Sequence, residues 1–267
     1  MAALGSEVHV LGGYVDGHPG STTHLVLDTV SGRWHSAAPL PVALDHVGVV
    51  GLNGKVWAIG GYGARPGGTT GVYSWDATSD RWTAHAPLPN RRGAGIAVVL
   101  GSAIHYVGGK SGGVTVAEHD VYDPASDRWT TAAPMPTARD HAAGAVVGGR
   151  LLVAGGRPHD LTVLESYDPS TDRWRSLAPL PLGRSAIAGA DLDGAFVVLG
   201  GEHPGEAQVD TEVDAYDPKD DRWSRLADLP EGRQGIGAAV VGGRLYLPGG
   251  GPTGGGSRQS NTLLVLS

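Results

Sequence analysis

Four arginines recur at one place in this chain. Three to five residues past the last proline of each Pro-x-Pro element (Asp-Leu-Pro in the fifth) stand the triplets Leu44-Asp45-His46, Arg92-Gly93-Ala94, Arg139-Asp140-His141, Arg184-Ser185-Ala186 and Arg233-Gln234-Gly235. A second set follows each Gly-Gly doublet: Tyr14, Tyr62, Lys110, Arg157, Glu202 and Gly251. Arg92, Arg139, Arg184 and Arg233, joined by Lys110 and Arg157, concentrate positive charge on a chain of formal net charge −7. A guanidinium fork matches a carboxylate or phosphate bidentately. The expected chemistry is therefore binding of an anionic ligand, a carboxylated small molecule or an acidic peptide, at an arginine-lined mouth, with Tyr14, Tyr62, Asp45 and His46 beside it. A structural role competes, in which each Arg bonds backbone carbonyls or the nearby Asp45, Asp140 and Glu202. Glu202, Asp140 and His141 are the candidate catalytic groups for proton transfer.

The elements that must position these residues are written as a repeat. An eight-residue phrase ending in tryptophan occurs five times, at Leu27 to Trp34, Trp75 to Trp82, Tyr122 to Trp129, Tyr167 to Trp174 and Tyr216 to Trp223. In each copy an Asp stands six residues before the Trp. Glycine doublets begin at 12, 60, 108, 155, 200 and 249, so the period is 45 to 49 residues. Such a period defines the fold before any local reading. In the fourth copy residues 141–147 are small and apolar, 150–156 form a second apolar run ending on a doublet, 164–169 alternate, and 173–181 carry the Trp and the prolines. That reads as four short antiparallel strands per repeat, the pattern of a propeller blade. The Asp at the head of the turn can bond backbone amides, and the Trp can wedge between blades. The arginines preceding each Trp (33, 81, 128, 173 and 222) are expected to be structural.

Gly-Gly, then Tyr-Asp, then Trp at this spacing resembles the kelch repeat, and the resemblance covers essentially the whole chain. It implies an all-β fold, a six-bladed kelch-type β-propeller of four-stranded antiparallel blades with the last blade incomplete. The expected blades are approximately 1–38, 42–86, 90–133, 137–178, 182–227 and 231–267, forming one domain. Residues 1–4 match only the back half of a first strand. Residues 261–267 read as a third strand with no fourth outside it, a bare edge where a protein partner could pair.

The acidic loop 201–214 places Glu206, Asp210 and Asp214 four residues apart. This is similar to the Glu-x3-Asp-x3-His iron triad of plant kelch specifier proteins, but the third residue is Asp, which lacks the nitrogen a ferrous site prefers. The pairs Glu118-His119-Asp120, His159-Asp160 and Glu202-His203 lack a third spaced partner, so no metal and no cofactor is expected. With no Cys there is no disulfide, no thiolate chemistry and no radical-copper centre of the galactose oxidase kind. Similarity in architecture to the bacterial sialic-acid mutarotase makes a sugar-acid mutarotase or isomerase, or a natural-product cyclase or lyase, the enzymatic alternative. An interaction scaffold is the other. The acidic balance argues against nucleic-acid binding. No apolar run approaches the ~18–20 residues of a membrane helix and no signal peptide is visible, so a cytoplasmic location is expected.

Overall fold

The computed structural model describes residues 1–15, 20–64, 67–203, 205–256 and 258–267. They form six antiparallel blades, five of four strands and a sixth of three. In blade four the strands are Ala143–Val147, Arg150–Ala154, Leu164–Asp168 and Arg173–Ser176. The register sets Leu151 opposite Tyr167 and Tyr167 opposite Trp174. First strands of neighbouring blades touch all the way round, blade six against blade one included. The ring is closed, and its core lies between blades: Phe196 and Tyr216 of blade five are fully buried against Ala143, Ala145 and Leu152 of blade four. Small residues dominate the first strands because close approach at the centre leaves no room for more. A Cβ on Gly144 would lie 2.4 Å from the Ile96 side chain of blade three.

Both chain ends follow the expected pattern. The first strand, Ala2–Leu4, has three residues. Leu263–Leu266 pairs with Arg244–Pro248 on one side, and among the described residues no strand pairs with its other side, leaving Val265 46 % exposed. An extra hairpin, Lys110–Ser111 with Val114–Thr115, was not legible in the repeat.

Blade seams are fastened by a device that uses the repeated phrase. Trp82, Trp129, Trp174 and Trp223 each donate an indole N–H to the carbonyl of Ala38, Ala86, Ala133 or Ala178 in the preceding blade, at 2.7 to 2.9 Å. The amide of that same alanine donates to the Asp two residues before the Trp: Asp80, Asp127, Asp172 or Asp221. Each of these Asp side chains also accepts from its own blade, Tyr122, Tyr167 and Tyr216 giving hydroxyls and Trp75 its indole. All four sit at φ of 49 to 52°, a left-handed conformation that Asp tolerates. Blade one has Leu27 and Gly32 at the two positions, so donor and acceptor are missing together.

Candidate functional site

The glycine doublets build the mouth of the central channel. Gly108 has φ +61°, and a Cβ there would lie 2.4 Å from the Arg139 carbonyl of the next blade. Only glycine allows that approach. Its neighbour Gly109 donates its amide to the same carbonyl at 2.9 Å. One step further on, the two sequence-defined sets meet: Asp45 pairs with Tyr62, Gly93 with Lys110, Asp140 with Arg157, Ser185 with Glu202 and Gln234 with Gly251. The following residues, His46, Ala94, His141, Ala186 and Gly235, all adopt φ between 47 and 60°. Their backbones link into a chain around the axis. Gly235 donates to Ala186, Ala186 to His141, His141 to Ala94 and Ala94 to His46, at 2.9 to 3.1 Å.

The arginines do not line this mouth with open forks, which corrects the sequence expectation. Arg92, Arg139, Arg184 and Arg233 are at most 1 % exposed. Arg92 pairs with Asp120, Arg139 with Glu165 and Arg184 with Asp214, each inside its own blade. Carbonyls take some of the remaining donors, Glu118 for Arg92 at 3.2 Å and Val163 for Arg139 at 2.9 Å, while Arg184 Nε and Nη1 have no hydrogen-bond partner among the described residues. Arg233 bonds Glu231, the Gly232 carbonyl, Ser260 and Thr262. The physical reason is length: an Arg four residues before the first strand reaches the second residue of the third strand, where a carboxylate waits. That pairing had a sequence signal. Blades three to five carry Arg together with an acid 26 to 30 residues later, whereas blade two carries Leu44 and Tyr73. Blade six has Arg233 with Leu264, hence its different partners.

What does converge on the axis is a pair of Asp–His units. His46 Nδ1 meets Asp45 Oδ1 at 2.5 Å, and His141 Nδ1 makes the equivalent contact with Asp140. The second Asp140 oxygen accepts from Thr115 Oγ1 at 2.5 Å, a residue of the extra hairpin that the repeat did not reveal. The imidazoles meet edge to face, centroids 4.8 Å apart, although they belong to blades two and four. Ala94, between them in blade three, leaves the space. Tyr14 and Tyr62 flank His46 at 5.8 and 5.3 Å. Neither Nε2 has a hydrogen-bond partner among the described residues, and the side chains are 28 % (His46) and 12 % (His141) exposed.

Electrostatics follow from this packing. Burial lowers the His141 pKa, with the His46 and Arg157 charges adding to it and Asp140 opposing. Burial works to raise the Asp140 carboxyl, but the bonds from His141 and Thr115 and the charges of His141 and Lys110 hold it below the usual range. Burial, with Asp140 and Asp45 nearby, raises the Tyr62 phenol, and burial with Asp45 raises that of Tyr14. Arg157, one-third exposed, pairs with Glu202 and bonds Ser185 Oγ at 3.3 Å. Glu202 is buried and also accepts the Gly255 amide at 2.8 Å. It is thus engaged on both oxygens and apart from the histidines. Lys110 is half-buried at the mouth.

The acidic triad is not assembled. Asp214 is buried against Arg184, while Asp210 lies 3.3 Å from His203 and Glu206 is exposed. Among the described residues no group of three or more His, Asp or Glu is arranged to hold a metal ion. A hollow of about 670 Å³ in that loop is lined by Glu206, Asp210 and Glu212 around His203, an acidic surface unsuited to an anion.

A family description, the KLHDC2/KLHL20/DRC7 Kelch-repeats domain, matches residues 1–186. The solved structure of YjhT superposes on this chain with a TM-score of 0.83, covering 100 % of this chain and 96 % of that one at 16 % identity. At that identity the likeness is one of fold. No curated protein matches in sequence. With the doublets, the Tyr-Asp and Trp positions and six blades in place, the chain belongs to the kelch-repeat family.

Proposed function

We propose that this propeller binds a small carboxylated molecule at the axial mouth. The observation that carries the reading is the meeting of two Asp-held imidazoles whose Nε2 atoms have no protein partner, within a rim that also holds Lys110 and Arg157. Those two cations, and not the four buried arginines, would meet the carboxylate. The imidazoles and the phenols of Tyr14 and Tyr62 would take hydroxyl or carbonyl groups. A few polar groups presented by loops on a rigid ring fit the usual placement of binding sites.

The test is a thermal-shift screen against 2-oxo acids, hydroxy acids, sugar acids and acidic peptides. A ligand at 100 times its dissociation constant stabilises the native state by roughly 2.7 kcal/mol. The expected result is a shift with a small carboxylate that Arg157→Gln and Lys110→Gln weaken and Arg92→Leu retains. A shift with acidic peptides alone would replace the small molecule by a peptide. A shift abolished by Arg92→Leu but not by the mouth variants would overturn the placement.

A further inference from the structure

The two imidazoles differ from ordinary binding groups in how they are held. Each Nδ1 is fixed by its own carboxylate, so each neutral ring is held as the Nδ1–H tautomer with Nε2 as a bare acceptor. An orienting carboxylate behind an imidazole is what a general base requires. The rings then meet at 4.8 Å, a separation at which two imidazolium charges repel. Two rings this close serve one ligand best when one acts as acid and the other as base. Asymmetry of burial assigns the roles. His141 is 12 % exposed and His46 28 %, and burial disfavours the charged form. His141, the more buried ring, is assigned the base, and His46, the ring more open to solvent protons, the acid.

We infer that His46 and His141 act as a coupled acid–base pair that tautomerises a carbonyl-bearing carboxylate held at the mouth. The inference rests on the binding reading above. His141 Nε2 takes a proton from the carbon beside the carbonyl, and the C–H electron pair forms the new C=C bond. The carbonyl π pair moves onto oxygen, which takes the Nε2 proton of the His46 imidazolium. Return of the protons in the opposite sense restores both rings, with no oxidant, reductant or nucleophile consumed. The carbon and oxygen involved lie two bonds apart, within reach of two rings whose centroids are 4.8 Å apart. Asp45 and Asp140 are positioning residues that fix the rings and stabilise the imidazolium. The other charged or titratable groups facing the pair are Tyr14, Tyr62, Lys110 and Arg157. Glu202, held by Arg157 and Gly255, takes no part.

The experiment follows deuterium exchange from D2O into the carbon beside the carbonyl of pyruvate, 2-oxobutyrate and a 2-oxo sugar acid by proton NMR, with thermal shift measured on the same samples. Wild-type protein is expected to accelerate exchange above the buffer rate. His46→Asn and His141→Asn are each expected to lose about 10²- to 10⁴-fold. Asn tolerates the left-handed φ of +47 and +54° at these positions, and melting curves of the variants verify folding. Asp140→Asn removes a charge that raises the His141 pKa, so it moves the acidic limb of the pH–rate profile to lower pH, which loss of packing alone would not do. A 2-oxo acid that shifts the melting of the wild type while exchange stays at the buffer rate, or exchange that persists in His141→Asn, overturns this inference and leaves the binding reading standing. If no 2-oxo acid shifts the wild type, this inference falls, and the binding reading stands or falls with the hydroxy acids and sugar acids of the wider screen.

Discussion

Replacing Arg92 by leucine separates architecture from ligand binding. The Arg92 side chain has no solvent exposure and Asp120 has 5 %. The guanidinium also lies 4.9 Å from the centre of the Tyr106 ring. Removing one member of such a pair strands a buried carboxylate, which costs about 3–5 kcal/mol. For a chain of this size that lowers the melting temperature by roughly 2–4 °C per kcal/mol, or on the order of 10 °C. Burial already holds the Asp120 carboxyl above its ordinary value against the opposing pull of Arg92, and loss of Arg92 raises it further. A raised folded-state pKa gives stability below the unfolded pKa and loses it as pH rises. The deficit of the variant is therefore smallest near pH 4 and full at neutral pH. The assay is urea unfolding followed by tryptophan fluorescence at pH 4 and 7.5, with Arg92→Leu/Asp120→Leu as control. Recovery of most of the loss in the double variant is expected. An unchanged urea midpoint in the single variant would refute the account and return Arg92 to the pool of ligand-binding candidates.

Acid should loosen the ring through buried imidazoles. Burial drives the pKa values of His9, His105 and His119 down to about 4, so the unfolded chain binds more protons between pH 4 and 6.5. Stability rises with pH through that window and is complete above it, each group contributing on the order of 3 kcal/mol as an upper bound because His105 and His119 share a hydrogen bond. Urea midpoints that stay flat from pH 7 to 5 would contradict this. Trp174→Phe, which deletes the 2.7 Å bond to the Ala133 carbonyl, should cost about 1–2 kcal/mol, read by chemical denaturation. Asp127→Ala should cost more than Asp127→Asn, because Asn keeps an acceptor for the Ala86 amide and tolerates φ of 52°; equal losses would count against the seam device.

The fold was legible because its instructions repeat. Doublet spacing fixed blade number, whereas the alternation of Leu164–Asp168 marked no single inside face, because residues 164–167 are all buried. Asp45 pairs with Tyr62 and Asp140 with Arg157, as their equivalent places in the repeat require. The fate of the arginines was harder to see. A repeated cation looks the same in sequence whether it faces a channel or a buried acid. Only comparison of blades, Arg139 with Glu165 against Leu44 with Tyr73, exposes the dependence. The contact of His46 with His141 skips a blade, so no spacing along the chain encodes it. It exists because Ala94 is small.

The seam device makes the molecule mechanically uneven. Blades one to five form a clipped array across four seams, while among the described residues neither flank of blade six carries the Trp–Ala–Asp fastening. Stability in repeat arrays is approximately a sum of unit and neighbour terms, so blade six sits between the two weakest couplings. The ring behaves as a five-link chain closed by a latch. Amide protons of residues 239–248 should exchange before those of 143–154, and disengaging the latch would open the channel sideways without unfolding the array that holds His46 and His141.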